Sequence, residues 1–333
     1  MIRAGIIGWG ENGKKIAQAL HFEIKDTEVI GVATNDPMGR DYAIRKLGLK
    51  HVFSNPAQLL ELHQVDIICI CSEGDMHLTH VENVLKSGSN IFIDHPLASN
   101  VEDCKKIEKL VDSYPSYKST AAFPRRFNPS LRQIQKEIAK GGLGDIIRVD
   151  CKTFEKMPEH LSDPEAKIAR KGIFMDLTLQ DIDMVRWLTN KEYETVYVLG
   201  NALKYPSLKR QGDVDSAIAI ARMDKGCLVQ FVSSRVVHRG EGFQLTIVGT
   251  NGEISFSSFK ENDGLVANQD GKPYYVSKIE KANDYIPVLN NYVDAVRNGS
   301  RIKYNLSDAT EATRVAVAMT KSFLLGQEVS LME

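Results

Sequence analysis

The chain has 333 residues, which exceeds the size of one ordinary hydrophobic core, so two domains are expected. Apolar residues make up 43% of the sequence and charged residues 26%, which is typical of a soluble globular protein, and the cytoplasm is the expected compartment. The net charge of -1 predicts no nucleic-acid partner and no membrane partner. No metal site is expected, because the cysteines are scattered and the nearest two, Cys69 and Cys71, have the spacing of buried strand residues.

Residues 1–123 alternate between short apolar runs and segments with helical spacing. Near-continuous apolar runs are typical of parallel strands that are buried on both faces. Strands that alternate with helices predict an α/β fold with a doubly wound parallel sheet. The predicted strands are 3–8, 28–34, 65–71, 90–94 and 119–123, and the predicted helices are 12–22, 39–47, 76–87 and 101–112.

The first predicted strand leads into the glycine pattern G-x-G-x-x-G, which opens the first predicted helix. In this context Gly8 permits a tight turn, Gly10 lets the backbone approach a pyrophosphate, and Gly13 allows close helix–strand packing. The helix N-terminus then offers N–H groups to the phosphates. The pattern predicts a Rossmann domain that binds a dinucleotide, with Trp9 and Asn12 in the same loop as further contacts.

The choice between NAD and NADP stays open at this point. An acidic residue about 20 residues beyond the glycine loop typically holds the ribose hydroxyls of NAD. Thr34 lies at the tip of the second predicted strand, and Asp36 follows two residues later. Asp36 favours NAD, whereas Thr34 with Arg40 nearby would also suit NADP.

Polar side chains follow three further strands at their carboxyl ends, where open α/β sheets bind their ligands. Pro96 stops its strand, so the side chain of His95 is expected to project over the nicotinamide half of the cofactor. An isolated histidine is otherwise more often a satisfied structural residue, and the two interpretations are evenly balanced. The candidate contacts at these ends are Ser72 and His77, then Asp94, His95 and Pro96, and last Arg125.

The pattern changes after about residue 123, and residues 124–333 are predicted to form an α+β domain with a large, mostly antiparallel open sheet. A helix at 128–140 and a strand at 146–153 lead to a long polar loop at 155–171, which is expected to influence substrate stereochemistry. A helix at 173–188, several strands and two closing helices follow. Both faces of the strand at 216–223 are apolar or small. A second subunit is therefore expected to cover one face of the sheet, as in a homo-dimer or homo-tetramer.

The predicted helix at 173–188 carries a polar stripe beside its apolar one. Asp176, Gln180 and Asp183 have the spacing i, i+4 and i+7. A solvated face is one interpretation of this stripe. The helix otherwise has the character of a buried element, and a buried carboxylate needs a partner. Asp176 is therefore a candidate functional residue.

Taken together, these motifs resemble the glucose–fructose oxidoreductase / inositol dehydrogenase (Gfo/Idh/MocA) family. The glycine pattern, ICICSEGDMH, DHP, AFPRRFNPS, KGIFMDLTLQDIDMVRWL and FQLTIVGTNGEISF occur in the family's order nearly end to end. The inositol dehydrogenase branch is the most similar through RRFNP and DIDMVRW. The resemblance implies a Rossmann domain, a substrate and oligomerisation domain with an open sheet, and hydride exchange between NAD(P) and a ring hydroxyl or ketone of a cyclitol or sugar.

The resemblance also implies roles for individual residues. Ser72 and His77 match the family's nucleotide-facing loop. Arg125 matches a position near the substrate, Asp176 matches an aspartate that contacts substrate hydroxyls, and His238 falls where the sheet edge extends toward the substrate.

Two positions depart from the family pattern. Where the family has Glu-Lys-Pro, this chain has an aspartate, His95 and a proline, and where the family has a histidine it has Gln180. A neutral imidazole can accept a hydroxyl proton, whereas an amide can only orient a hydroxyl. The hypothesis is that His95 is the acid/base held by Asp176, with Gln180 binding substrate. The alternatives are an inactive NAD(P)- or sugar-binding sensor and a modified redox reaction such as hydride-assisted elimination.

Overall fold

The computed structural model describes residues 1–62, 64–157, 171–238, 240–259, 264–269, 272–277, 284–300, 302 and 304–332. The long loop expected at 155–171 lies for the most part outside these residues. The chain forms two compact units, one of residues 1–127 with 282–311 and one of residues 128–281 with 312–333. The sequence predicted a single division after residue 123, whereas in the structure a segment near the C-terminus returns to the first unit.

The first unit contains a six-stranded, all-parallel sheet in the order β3-β2-β1-β4-β5-β6. The strand order reverses direction between β1 and β4, and open α/β sheets bind ligands beyond the carboxyl ends of the strands at such a point. The candidate residues of this unit follow the carboxyl ends of its strands. The predicted doubly wound sheet is confirmed. The strands are β1 (Ile2–Ile7), β2 (Thr27–Ala33), β3 (His51–Phe53), β4 (Ile67–Ile70), β5 (Asn90–Ile93) and β6 (Ser119–Ala121).

Helices connect these strands, and a further helix joins the unit from the C-terminal part of the chain. The predicted helix 12–22 is α-helical only up to Gln18, and a π-helical turn follows at Ala19–Glu23. Strand β3 and helix α3 were not predicted. The helices are α1 (Glu11–Gln18), α2 (Pro37–Leu47), α3 (Pro56–Leu60), α4 (His77–Ser87) and α5 (Val101–Asp112), with a 3-10 turn at Pro124–Phe127.

The returning helix (Tyr285–Asn298) explains why the observed division differs from the predicted one. Tyr285, Leu289 and Tyr292 are buried in the same apolar cluster as Ile6 of β1 and Phe92 of β5. Burying such side chains stabilises a fold by roughly 1.5–3 kcal/mol each. The helix therefore belongs to the core of the first unit.

The second unit contains a nine-stranded sheet in the order β14-β13-β12-β11-β7-β10-β9-β8-β15. Only the β7–β10 pair among these is parallel, so the predicted mostly antiparallel sheet is confirmed. The strands are β7 (Ile146–Phe154), β8 (Tyr193–Asn201), β9 (Ser216–Met223), β10 (Leu228–Ser234), β11 (Gly242–Gly249), β12 (Glu253–Ser257), β13 (Gly264–Gln269), β14 (Lys272–Ser277) and β15 (Val329–Ser330).

The helices of the second half begin with α6 (Pro129–Ala139). The predicted helix 173–188 is a π-helical turn at Phe174–Thr178 that continues into α7 (Leu179–Thr189). A short α8 (Ser207–Arg210) follows, the returning helix of the first unit is α9 (Tyr285–Asn298), and the chain closes with α10 (Leu306–Leu325). Within the described ranges, no helix is both long enough and apolar enough to cross a membrane.

Along β9, buried and exposed residues alternate, so one face of the second sheet packs inward and the other faces outward. The outward face carries large apolar side chains. Ile218 is 49% exposed, Ile220 55% and Leu199 of the neighbouring β8 62%. Leu199 lies opposite Ile218 in the strand register, so these side chains form one apolar patch.

Candidate functional site

The glycine loop packs directly on the end of β4. Gly8 has a φ of +95°, and a Cβ added there would lie 2.4 Å from the carbonyl oxygen of Cys71. A Cβ added at Gly13 would lie 2.7 Å from the carbonyl oxygen of Gly8, so both positions require glycine. A Cβ at Gly10, in contrast, would meet nothing within 4 Å. The loop therefore combines tight packing underneath with open space above Gly10, as a backbone that approaches a pyrophosphate requires.

Helix α1 begins at this loop without a side-chain cap, since Gly10 is its N-cap. Its first N–H groups therefore have no side-chain acceptor, and they are the groups that bind phosphate at helix N-termini. The loop residues thus fit a dinucleotide.

Trp9 does not lie on the surface of the loop. It is 5% exposed and packs against the ring of Tyr42, with ring centroids 6.0 Å apart. A Cβ added at Gly39 of α2 would lie 2.3 Å from its Cδ1. Its Nε1 is buried and has no hydrogen-bond partner among the described residues. The predicted cofactor contact of Trp9 stays a prediction.

Asp36 is the N-cap of α2. Its carboxylate accepts hydrogen bonds from the N–H groups of Met38 at 3.1 Å and Gly39 at 3.0 Å. Its own N–H donates to the hydroxyl of Thr34 at 3.1 Å. Asp36 is exposed, whereas Thr34 is buried. At the tip of β2, the accessible group is therefore an anionic carboxylate.

Ser72 and His77 follow β4. The Oγ of Ser72 is buried and has no partner among the described residues. His77 is 1% exposed, with Nδ1 3.1 Å from the carbonyl oxygen of Leu97 and Nε2 2.9 Å from that of Ser72. The imidazole thus ties the segment after β4 to the segment after β5, and its predicted contact with cofactor stays a prediction.

Asp94, at the end of β5, is the centre of a buried network. It is 6% exposed. Its Oδ2 accepts a hydrogen bond from Nδ2 of Asn12 at 2.9 Å, and its Oδ1 accepts one from the hydroxyl of Tyr285 at 2.6 Å. Oδ1 also lies 3.1 Å from Nδ1 of His95, an ion-pair separation. Asn12 thereby connects the glycine loop to the residue that precedes His95.

This network controls the ionisation of Asp94. Burial by itself raises the pKa of the Asp94 carboxyl. The charge of His95 and the contacts from His95, Tyr285 and Asn12 outweigh burial, and the pKa is lowered from 3.8 to about 2. Asp94 is therefore a fixed negative charge at neutral pH.

The His95 side chain is 8% exposed and stacks on Phe123, with ring centroids 6.2 Å apart. Although Nδ1 lies close to Asp94, its direction does not give an aligned hydrogen bond. No described residue forms a hydrogen bond with Nε2. The peptide bond to Pro96 is cis, and Pro96 is buried. Nε2 can therefore accept or release a proton while Asp94 stabilises the positive charge on the ring.

Arg125 lies in the 3-10 turn after β6 and is half-buried. Burial raises the pKa of Asp284, the residue before α9. The positive charges of Arg125 and of Lys15 on α1 oppose this rise. The predicted substrate contact of Arg125 stays a prediction.

The second unit holds a separate buried charge cluster. Nη2 of Arg235, which is 1% exposed, donates to Oδ2 of Asp176 at 2.8 Å. Oδ1 of Asp213 accepts a hydrogen bond from the N–H of Ile173 at 2.9 Å. Oδ2 of Asp213 and Nε of Arg235 are buried without hydrogen-bond partners among the described residues. Asp176, whose side chain is 28% exposed, thus pairs with an arginine of its own unit.

Asp213 shows the cost of incomplete pairing. Burial raises the pKa of its carboxyl, and the charge of Asp176 raises it further. The N–H groups of Ile173 and Val214 and the charge of Arg235 oppose this shift but do not reverse it.

The other predicted residues of the second unit lie in different environments. Gln180 is half-buried in the first turn of α7, and His238 is exposed after β10. Asp183 is 1% exposed, so the polar stripe of this helix is not a solvated face. His95 belongs to the first unit and Asp176 to the second. That Asp176 holds the imidazole of His95 stays a prediction.

Sequence reasoning missed Tyr285, Arg235 and Asp213. Tyr285 is 191 positions from Asp94, and no spacing rule connects the two. Arg235 did carry a signal, since it is a charged residue at the end of an apolar strand, and a buried charge at such a position needs a partner.

Comparisons with known proteins cover both units. A family model described as "Oxidoreductase family, NAD-binding Rossmann fold" matches residues 2–117, and one described as "GFO/IDH/MocA C-terminal domain" matches residues 131–255. The scyllo-inositol 2-dehydrogenase (NAD(+)) of Bacillus subtilis (strain 168) is 25% identical over 339 residues, which cover 99% of this chain and 96% of that protein. The myo-inositol 2-dehydrogenase of Thermotoga maritima is 25% identical over 349 residues, which cover 100% and 99%.

A solved structure of similar fold is that of scyllo-inositol dehydrogenase from Lactobacillus casei with bound cofactor NAD(H) and scyllo-inositol. It is 22% identical, has a TM-score of 0.87 and covers 99% of both chains. At this identity the likeness shows the fold.

Proposed function

The chain belongs to the GFO/IDH/MocA oxidoreductase family, and on that premise we propose that it transfers a hydride between a nicotinamide dinucleotide and a ring hydroxyl or ketone of a cyclitol or related sugar. Within the family, the proposal assigns proton transfer to His95. The names of the similar proteins, which are inositol dehydrogenases, support cyclitols as the first substrates to examine.

One observation carries this proposal, which is the hydrogen bond between Asn12 and Asp94 at 2.9 Å. It connects the loop that fits a pyrophosphate to the residue that precedes His95. A proton acceptor in a dehydrogenase must lie on the same sheet edge as the cofactor loop, because proton and hydride leave the same substrate group. The contact supports this arrangement with residues of the first unit alone.

The oxidation divides between cofactor and protein. The glycine loop and the N-terminus of α1 would hold the pyrophosphate of the dinucleotide, whose nicotinamide would supply the hydride acceptor for the C–H bond of the carbinol. Nε2 of His95 accepts the hydroxyl proton as the C=O bond forms. Asp94 keeps its negative charge throughout and stabilises the imidazolium that results. The reverse reaction returns the same proton to the alkoxide.

The test measures turnover and cofactor binding separately. Purified protein is mixed with NAD or NADP and a panel of inositol isomers and sugars, and the absorbance of reduced nicotinamide is followed. His95→Ala is expected to lower turnover by roughly 10²–10⁴-fold, the usual contribution of a general acid/base. His51→Ala, which removes an exposed histidine of the same unit, is the matched control and should leave turnover unchanged.

Cofactor binding is read from the fluorescence of Trp9 in a Trp187→Phe background, which leaves Trp9 as the only tryptophan. The His95→Ala variant should still bind cofactor with wild-type affinity. Equal turnover in His95→Ala and wild type would reject the proposed role of His95.

The alternative is a protein that binds NAD(P) or a sugar without turnover. The ion pair between Arg235 and Asp176 favours it, because a carboxylate held by a buried guanidinium is a poor proton acceptor. Gln180, where the family has histidine, also favours this alternative, because an amide does not accept a proton as an imidazole does. Saturable cofactor binding with no turnover across the whole panel would support this alternative.

We propose NAD as the preferred cofactor. The exposed carboxylate of Asp36 can accept hydrogen bonds from ribose hydroxyls and would repel a 2′-phosphate. Asp36→Asn keeps one acceptor oxygen at the N-cap of α2, where asparagine is about as good a cap as aspartate, but removes the charge. This variant should lower the preference for NAD over NADP by about tenfold, with only a small change in the melting temperature. An unchanged preference would contradict the role of Asp36.

We further propose that a second copy of the chain covers the outward face of the second sheet. The apolar patch of Leu199, Ile218 and Ile220 supports it, because patches of this kind mark interaction sites. On β7, Arg148 and Asp150 form an ion pair at 2.9 Å on the same face, and alternating charges suit a self-complementary interface. Ile220→Lys should convert the protein to monomers in light scattering, and an unchanged oligomer would exclude this face.

A further inference from the structure

We propose that Tyr285 is a positioning residue whose hydroxyl holds Oδ1 of Asp94 and so limits how strongly Asp94 retains a proton on His95. The proposal rests on the proposed function in one respect, which is that His95 is the proton acceptor. Tyr285 itself is not expected to contact substrate. It acts through Asp94.

The geometry places two groups on one carboxylate oxygen. The hydroxyl of Tyr285 donates to Oδ1 of Asp94 at 2.6 Å, and Nδ1 of His95 lies 3.1 Å from the same atom. The other oxygen, Oδ2, is taken by Asn12 at 2.9 Å. Tyr285 is 4% exposed and Asp94 6%, so water does not compete for these positions.

The tyrosine makes the shorter contact with this oxygen, at 2.6 Å against 3.1 Å for the imidazole. An O–H···O⁻ separation of 2.5–2.7 Å is typical of charge-assisted hydrogen bonds, which are about twice as strong as neutral ones. The contact from Nδ1 of His95 is longer and is not aligned as a hydrogen bond. Tyr285 thus keeps Oδ1 from forming a strong, aligned hydrogen bond with the imidazolium.

Among the described residues around the pair, the thiols of Cys69 and Cys71 and the hydroxyl of Tyr285 keep their protons near neutral pH. Cys69 on β4 and Cys71 directly after it interact with Asp94, and burial raises the pKa of both thiols, so they stay neutral. Burial, together with Asp94, raises the pKa of Tyr285 well above its ordinary value, so its hydroxyl remains a donor. The charge of Asp284, the preceding residue in the chain, raises the pKa of Tyr285 further.

This arrangement matters because a general base must be unprotonated to act. Without the tyrosine hydroxyl, Oδ1 becomes available to Nδ1–H of His95 and stabilises the protonated ring. Oxidation should then require a higher pH. We expect the acid limb to move by about one pH unit, which is a tenfold change in the protonation equilibrium of the ring.

The experiment compares Tyr285→Phe with Tyr292→Phe. Both tyrosines lie on α9, both are buried, and each hydroxyl donates one described hydrogen bond, but that of Tyr292 goes to the carbonyl oxygen of Lys118 at 2.9 Å. In Tyr285→Phe the acid limb of the kcat–pH profile should move upward by about one unit. Below the limb, turnover should fall roughly tenfold, with the KM for NAD unchanged. Tyr292→Phe should show the wild-type profile.

A second readout does not depend on catalysis. The ring titration of His95, followed by NMR with His95→Ala to assign the signal, should move to higher pH in Tyr285→Phe but not in Tyr292→Phe. An unshifted titration, or an equal fall in kcat at every pH, would overturn the proposal and leave Tyr285 a packing residue. If wild type turns over no substrate but the titration still shifts, the proposed function fails while the coupling of Tyr285 to His95 stands.

Discussion

Two buried carboxylates, Asp94 of the first unit and Asp213 of the second, respond to burial in opposite ways. Asp94 has Asn12, Tyr285 and His95 against its two oxygens, and its pKa is lowered to about 2. One oxygen of Asp213 has a backbone donor while the other has no partner among the described residues, and its pKa is raised.

The difference shows that charged and hydrogen-bonding partners, rather than burial alone, decide whether a buried carboxylate keeps its charge. Burial raises the pKa at both sites, and it is the largest single cause in each. At Asp94, donors and a cation outweigh burial. At Asp213, the guanidinium of Arg235 is shared with Asp176 and does not compensate for burial. The first site therefore has a constant charge, whereas the charge of the second can change with its surroundings.

The largest expected loss of stability comes from removing the guanidinium of Arg235, which Asp176 and Asp213 share. Arg235→Met keeps the volume but leaves Asp176 and Asp213 without their guanidinium. Breaking a buried ion pair by removing one partner costs about 3–5 kcal/mol, and urea unfolding should show a loss of this order. Arg222→Met removes an exposed arginine from β9 of the same sheet and should change stability by less than about 0.5 kcal/mol. Equal losses in the two variants would mean that Arg235 contributes packing alone.

The second prediction concerns the constant charge at Asp94. Lowering its pKa from 3.8 to about 2 corresponds to about 2 kcal/mol of stability at 1.36 kcal/mol per unit. Because the folded-state pKa is depressed, this stability is present above pH 3.8 and is lost as the pH falls toward 2. Asp94→Asn should be less stable than wild type at neutral pH, and the gap in unfolding free energy should narrow across this window. A gap that does not change with pH would contradict the assignment.

The sequence predicted the fold of the first unit well because local pattern determines it. Ile67–Ile70 of β4 are all buried, and a continuous apolar run of this kind indicates a central parallel strand. Strand His51–Phe53 was missed because its three residues are half-buried or exposed and carry no such run. The π-helical turn at Phe174–Thr178 was missed because one extra residue per turn leaves little trace in a helical pattern.

The candidate site was predictable only where it lies at strand ends. The glycine loop and Asp94 follow β1 and β5, and the sheet geometry brings such ends together. Of the contacts that set the charge of Asp94, only that of the adjacent His95 was open to prediction, since the other two come from residues 82 and 191 positions away. Asp213 and Arg235 were missed for the same reason, because their pairing depends on tertiary packing.

The smallest expected change in stability comes from Asp213, and it is a gain, whereas substitution of Asp94 should cause a loss. Since the folded-state pKa of Asp213 is raised, its contribution to stability is fully present below pH 3.8 and is lost as the pH rises through the folded-state value. Asp213→Asn resembles the protonated form, and its side-chain oxygen can still accept the N–H of Ile173. The variant should therefore be slightly more stable than wild type at neutral pH, with no decline above pH 3.8 from this group. Thermal unfolding of the Asp94→Asn and Asp213→Asn proteins over one pH series measures both signs together. A loss of stability at neutral pH in both variants would show that Asp213 is ionised and paired like Asp94, and the proposed contrast between the two units would be wrong.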